Sequence, residues 1–258
     1  MENNLHNYMN GEKTVYNFKV NSFDIKAEYY KNNIDNIFIP LVKRLDEMKK
    51  KADGKLIVYI AGPCGSGKTT VSLLLESLTP EHTGSFAQAV GMDGFHYTRD
   101  YLNSHYTYTY GDSSKILMRD VKGAAETYDF EKLYGKISEL KHSDVYFPGY
   151  DRIIHDVVED SVYINGQIIF IEGNWLLLDE PRWRELIQFC DYSIFINADF
   201  DTLISRLTER KIMGGLGFED AKKFVMRSDV KNIERILNRR LTCDLELTME
   251  EDGRYVVI

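Results

Sequence analysis

The sequence predicts a three-layer α/β protein. A largely parallel sheet is covered by helices on both faces, with a helical lid and a small N-terminal strand-helix appendage. Two patterns carry that expectation. From Lys55 onward, short apolar runs alternate with stretches of helical spacing, as strand–helix–strand units do. The first of these runs, KLIVYIA, is apolar on successive residues and suits a strand buried on both faces. A third observation, the glycine-rich AGPCGSGKTT at 61–70, lies between that strand and a helix.

The elements follow in order. Residues 1–12 are polar, and TVYNFKVNSFDI alternates as a strand or hairpin. From Ala27 to Lys51, Ile34, Ile37, Phe38, Leu41, Leu45 and Met48 recur at helical spacing, interrupted by Pro40. KKKADGK ends that helix on a glycine and marks a junction, so 1–54 is read as an appendage and 55–258 as the main domain. Beyond it, KTTVSLLLESL reads as a helix, FAQAVGMD as a strand and FEKLYGKISELK as a helix. DVYFPGY, VYI and IIFIEG read as strands, the last two turning at Asn165-Gly166. EPRWRELIQF is expected to be a helix with Pro181 in its first turn, and DYSIFINA a strand. Helical patterns cover 201–212 and 219–240, and LELTMEEDGRYVVI closes the chain as a hairpin across Asp252-Gly253.

Charge and cysteine content narrow the function classes. Lys plus Arg is 32 against 40 Asp plus Glu, a net charge of −8 over 258 residues, which argues against non-specific nucleic-acid binding. Cys64, Cys190 and Cys243 are far apart and form no C-x-x-C pair, as in a reducing compartment. The first residues lack the basic start and apolar core of a signal peptide, and no apolar run reaches the roughly 18 residues of a membrane span. The expectation is a cytoplasmic protein with no membrane and no nucleic-acid partner; a homo-oligomer is left open.

Gly62, Pro63, Cys64, Gly65, Ser66, Gly67, Lys68 and Thr69 satisfy G-x-x-x-x-G-K-[ST] at every fixed position, with Thr70 following. Glycines let successive backbone N–H groups turn inward, and the helix start adds its positive end. Such a loop holds a nucleoside triphosphate, with Lys68 at the outer phosphates and Thr69 on Mg²⁺. As part of a loop, Lys68 is expected to be exposed and outside the core. LLLDEP at 176–181 imitates the second motif of transporter ATPases, but no L-S-G-G-Q precedes it, and N-K-x-D of regulatory GTPases is absent. IIFIEG instead puts Glu172 at a strand end beside the phosphates, and Asp93 ends FAQAVGMD at a second carboxyl end.

GMDGFHY, KGAAETYDFEKL from Lys122, FPGYDRIIHDVVED from Phe147 and RLTERKIMGGLG from Arg206 follow the loop in order. Together they resemble the superfamily of uridine kinase, pantothenate kinase and phosphoribulokinase, nearest its bacterial nucleoside-kinase-like, fructose-transport-associated branch. The resemblance runs from about Lys55 to about Asn238. It implies ATP and Mg²⁺ as cofactors and a small-molecule acceptor. It further implies Asp93 as the group that takes the acceptor's proton, Tyr150 and His155 as acceptor contacts, and Arg206 and Arg210 as lid arginines neutralising the moving phosphate. Arg152 stands where uridine kinases carry an aromatic, which points to a more polar or anionic acceptor.

Each assignment has a bland counterpart. Asp93 could cap a turn, and Glu172 could pair with a lysine. His96, beside Asp93, could touch the acceptor or simply pack, His155 could be structural, and Arg206 and Arg210, four apart, could be a solvated charge row. The expected reaction is phosphoryl transfer from ATP to a hydroxyl of a nucleoside-like, pantothenate-like or sugar acceptor. The alternative is a regulatory or partner-dependent ATPase without an acceptor.

Overall fold

The computed structural model describes residues 11–20, 23–111, 113–151 and 153–258. Its centre is β3 (Leu56–Ala61), every residue of which is buried. Side chains alternate across a strand, so Val58 and Ile60 enter one core with Leu74, Leu75 and Leu203, while Ile57 and Tyr59 enter the other with Phe95, Phe147 and Trp175. That division is why the strand reads as unbroken hydrophobe. β4 (Ala87–Gly91), β9 (Ile168–Gly173), β10 (Tyr192–Ala198) and β11 (Leu245–Met249) join it in parallel, and β12 (Tyr255–Val257) adds an antiparallel edge, in the order β12-β11-β10-β3-β9-β4.

Two antiparallel ribbons lie outside this sheet. β1 (Lys13–Val20) pairs with β2 (Phe23–Tyr30), and β7 (Val145–Asp151) with β8 (Asp156–Ile164). The turn expected between VYI and IIFIEG at Asn165-Gly166 is therefore corrected, since the two strands do not fold against each other. That dipeptide joins β8 to β9, but β9 bonds β3 and β4 and β8 bonds β7. A third small ribbon pairs β5 (Tyr106–Thr107) with β6 (Ile116–Leu117).

The N-terminal helix also starts later than the apolar spacing suggested. Ala27 to Tyr30 belong to β2, where Ala27 and Tyr29 turn inward while Lys26 and Glu28 stay exposed. The chain then winds through Lys31–Asn33 and a π-helical turn, Ile34–Phe38, into α1 (Ile39–Lys51). Pro40 has no N–H to donate to the preceding turn, and the wide π turn sits just ahead of that missing bond. Phe38, Val42 and Leu45 are fully buried in the same core as Leu74. Asn33 pairs with β12 like a neighbouring strand: its Nδ2 donates to the Tyr255 carbonyl at 2.7 Å, and the Tyr255 N–H donates to its Oδ1 at 2.9 Å.

Helices α2 (Lys68–Thr83), α3 (Arg99–Ser104) and α4 (Phe130–Leu140) follow β3, β4 and the loops beyond. EPRWRELIQF is not an α-helix but a 3₁₀ segment, Trp183–Phe189. Its buried residues, Trp183 and Leu186, stand three apart, the period of the tighter helix. α5 (Phe200–Met213), α6 (Phe218–Phe224), a π turn at Val225–Asp229 and α7 (Val230–Asn238) complete the chain's helices. Among the described residues no helix is long and apolar enough to cross a membrane.

Glu180 of the LLLDEP stretch is structural. Arg235 of α7 donates to both its oxygens, at 3.1 and 2.7 Å, and to Glu126 at 2.7 Å. The Arg235 side chain is only 7% exposed, so removing it leaves partly buried Glu126 without its guanidinium and Glu180 with only the longer contact to Arg239, at 3.9 Å. Arg235→Ala is expected to lower unfolding free energy by about 3–5 kcal/mol, read by urea denaturation. A loss below about 1 kcal/mol would show that water replaces the guanidinium at no strain.

Candidate active site

The loop after β3 closes on itself before α2 begins. Gly62 has φ 148°, and a Cβ there would lie 2.0 Å from the Ile196 carbonyl oxygen, so only glycine fits against β10. Gly67, the residue before α2, has φ 91°. Lys68 folds back and donates to the Pro63 carbonyl at 2.8 Å, while Thr70 Oγ1 donates to the Gly67 carbonyl at 2.9 Å. The expectation that Lys68 is exposed is corrected: it is 6% exposed, enclosed by its own loop and the sheet edge. Burial lowers its ammonium pKa, against the pull of Cys64, Glu172 and Asp93. A desolvated cation and the buried Ser66 hydroxyl, which has no hydrogen-bond partner among the described residues, together suit a phosphate.

The ends of β9 and β4 supply the carboxylates. Glu172 is register partner to Ile60 of β3 and Gly91 of β4, and Thr69 Oγ1 donates to its Oε1 at 2.9 Å. Among the described residues no three His, Cys, Asp or Glu side chains converge as a metal cage. A hydroxyl and one carboxylate still fit Mg²⁺, which keeps several waters and takes few protein ligands. Asp93 lies two residues past β4, in a 3₁₀ turn, Met92–Phe95. Tyr128 donates its hydroxyl to Asp93 Oδ1 at 3.1 Å. Burial first, and the Asp93 charge next, push the Tyr128 pKa far up, so it stays a donor.

His96 packs at a tilt on Tyr128, ring centres 3.8 Å apart, and its Nδ1 is 2.9 Å from the Asp93 carbonyl oxygen. A carbonyl can only accept, which assigns the ring proton to Nδ1. The lone pair of Nε2 is then buried with no hydrogen-bond partner among the described residues. Lys122 Nζ donates to Tyr150 OH at 2.7 Å. Thr69, Asp93, Gly149, Tyr150 and Glu172 all line one cleft of about 180 Å³.

α5 brings Arg206 and Arg210 over the loop. Arg206 Nη1 donates to the Gly65 carbonyl at 3.2 Å, so a purely solvated charge row does not describe it. Arg210 is exposed as a residue, yet against the effect of burial the charges of Cys64, Asp229 and Asp93 act on its guanidinium and raise its pKa. Asn174 Nδ2 also meets Cys64 Sγ, at 2.8 Å. His155 sits apart from these groups, exposed at the β7–β8 tip with φ 54°. Arg152 lies outside the described residues.

Residues 57–231 match the Phosphoribulokinase / Uridine kinase family. The chain belongs to that family. Its members' chemistry makes it a nucleotide-binding small-molecule kinase, a phosphotransferase. It is 37% identical to the Escherichia coli protein YggC, which is named as uncharacterized, over 92% of this chain and 96% of that one. It is 27% identical to the "Putative uridine kinase" of Schizosaccharomyces pombe, over 81% of this chain and 92% of that one. The crystal structure titled "putative fructose transport system kinase" from Silicibacter superposes with a TM-score of 0.71 at 30% identity, covering 81% of this chain and 98% of that one.

Tyr128, Lys122 and Asn174 were not among the residues singled out from sequence for the site. The first two stand inside the KGAAETYD motif, the one signal available; nothing in local spacing marks Asn174. His96 makes the site sensitive to pH. Burial lowers its pKa from 6.5 to about 4, outweighing the neighbouring Asp93. Its folded pKa is the depressed one, so between those values the unfolded chain binds the proton and the folded chain does not. Stability is whole above about pH 6.5 and falls by up to about 3 kcal/mol as pH drops toward 4. His96→Gln is expected to flatten that part of the urea-midpoint profile; an unaltered slope would mean that other groups set it.

Proposed function

We propose that the protein is a cytoplasmic, ATP-dependent kinase that moves the γ-phosphoryl group, with Mg²⁺, to a hydroxyl of a nucleoside-like, pantothenate-like or sugar acceptor. The observation that supports this reading is the single cleft lined by Thr69, Glu172 and Asp93 together with Tyr150. Phosphate-side and acceptor-side groups share it, as direct transfer needs and simple hydrolysis does not.

In this reading Lys68 and the loop's N–H groups bind the phosphates, and Thr69 and Glu172 hold Mg²⁺ directly or through water. The metal supplies charge neutralisation at the phosphate oxygens. Asp93, oriented by the Tyr128 hydroxyl, accepts the acceptor's proton. The hydroxyl oxygen then bonds the γ-phosphorus, the bond to the bridging oxygen breaks, and ADP leaves. His96 Nε2 is a further hydrogen-bond acceptor for the incoming molecule, and Tyr150 and Arg152 are assigned to its far side, while His155, at the exposed ribbon tip, is left out of the contact set. Arg206 and Arg210 offset the charge that spreads over the transferring oxygens. Such transfer is mostly positioning and electrostatics, so a weak base suffices.

Lys68→Ala is expected to abolish acceptor-dependent ADP formation, measured with a coupled ADP assay. Its burial does not forbid the variant, since the lost ammonium was itself destabilised by desolvation. Normal turnover in the folded variant would refute the assignment.

The two carboxylates are expected to separate. Asp93→Asn should lower transfer by about 10²–10⁴-fold with Mg·ATP binding intact, while Glu172→Gln should raise the Mg²⁺ concentration needed for half-maximal rate. Titrating Mg²⁺ against both variants tests this, and the reverse pattern would exchange their roles.

A further inference from the structure

The cleft has a wall that the family's matched segment does not contain. Lys19 of β1 lines it with Thr69, Asp93, Tyr150 and Glu172, although β1 lies well before residue 57. Tyr16 and Phe18 anchor β1 against the buried core, and strand alternation sends Lys19 to the opposite face. Lys19 is exposed, and among the described residues it forms no ion pair. Its register partner across the hairpin is Asp24, yet no salt bridge joins them.

A second lysine reaches the same region through Tyr150. Lys122 is half-buried, and its ammonium has three N–H groups to donate. One goes to the Tyr150 hydroxyl, and among the described residues no carboxylate stands within ion-pair distance. Burial lowers its pKa, opposed by the more distant Asp156 and Asp93. A partly desolvated ammonium held by a neutral hydroxyl gains by meeting an anion. The phosphates of ATP have their own cations in Lys68, Arg206 and Arg210, which leaves Lys19, on the cleft that Tyr150 also lines, and Lys122, bonded to Tyr150, for the acceptor.

We propose that Lys19 of β1 completes the acceptor site, and that Lys19 and Lys122 bind a negatively charged group, carboxylate or phosphate, on the acceptor. The inference rests on the kinase reading above and narrows it to anionic acceptors. It also gives the N-terminal hairpin a role in selecting the acceptor, separate from phosphoryl transfer.

The test compares ADP formation from matched pairs: pantothenol and pantothenate, glycerol and glycerate, ribose and ribose 5-phosphate. In the unmodified protein the charged member of at least one pair is expected to have the higher kcat/KM, by about tenfold or more. Which pair responds tells carboxylate from phosphate. In K19Q, and further in K19Q combined with K122Q, the ratio of charged to neutral kcat/KM should fall toward one. Lys19 is exposed, so K19Q leaves the core untouched. A preference for neutral members, or equal loss on both members in K19Q, overturns the proposal while leaving the kinase reading standing. Failure of every acceptor to raise ADP formation above the acceptor-free rate, in protein that binds ATP, overturns the kinase reading and this inference with it.

Discussion

The register of β9 between β3 and β4 is the constraint on which the rest depends. Backbone hydrogen bonds fix Glu172 beside Ile60 on one side and Gly91 on the other. The loop that follows β3 and the turn that follows β4 therefore open at the same edge of the sheet, with Glu172 between them. Gly91 contributes by its size: a Cβ there would lie 3.1 Å from Glu172 Oε1, the oxygen that Thr69 reaches. A slip of one residue would turn Glu172 to the other face and separate it from Thr69. The glycines and the carboxylates are thus one device, brought together by main-chain bonds and then held by the side-chain contacts of Thr69 and Tyr128.

A second clasp joins the two ends of the chain. Asn33 satisfies both backbone groups of Tyr255, and Tyr29, Phe38 and Tyr255 pack with ring centres 5.4–6.1 Å apart. The hairpin hangs from this aromatic cluster. The Tyr255 hydroxyl in turn stands 3.1 Å from where a Cβ on Gly67 would lie. The contacts run from the first ribbon through the last strand to the phosphate-binding loop.

Several charges near the site are held at a disadvantage. Burial lowers the pKa of Lys68, Lys122 and His96 and raises that of Asp229, whose Oδ2 has no hydrogen-bond partner among the described residues. Asp229 faces Lys211 and Arg210 from the π turn behind α6, so the lid helix carries cations that an opposite charge already attracts. Lys68 and Lys122, desolvated in this way, interact more strongly with an incoming anion than the same ammonium groups in water. The protein spends part of its stability on that readiness.

The phosphate-binding loop, the central strands and the two strand-end carboxylates were legible in the sequence alone. Their signals are local: glycines where the backbone must turn, unbroken hydrophobe where a strand is covered twice, and an acid near the strand's carboxyl end. Asp93, however, falls in the 3₁₀ turn two residues beyond β4 and does not end the strand itself. Element boundaries read from spacing failed where two periods overlapped, as at Ala27–Tyr30, or where the tighter 3₁₀ period applied, as at Trp183–Phe189. The partners of the site residues were not legible. Tyr128 meets Asp93 across 35 positions, Thr69 meets Glu172 across 103, and Arg206 meets Gly65 across 141. Which side chains converge over such separations depends on strand order, pleat and helix packing. Those are decided by the whole chain burying its apolar surface at once, and no stretch of residues carries that decision by itself.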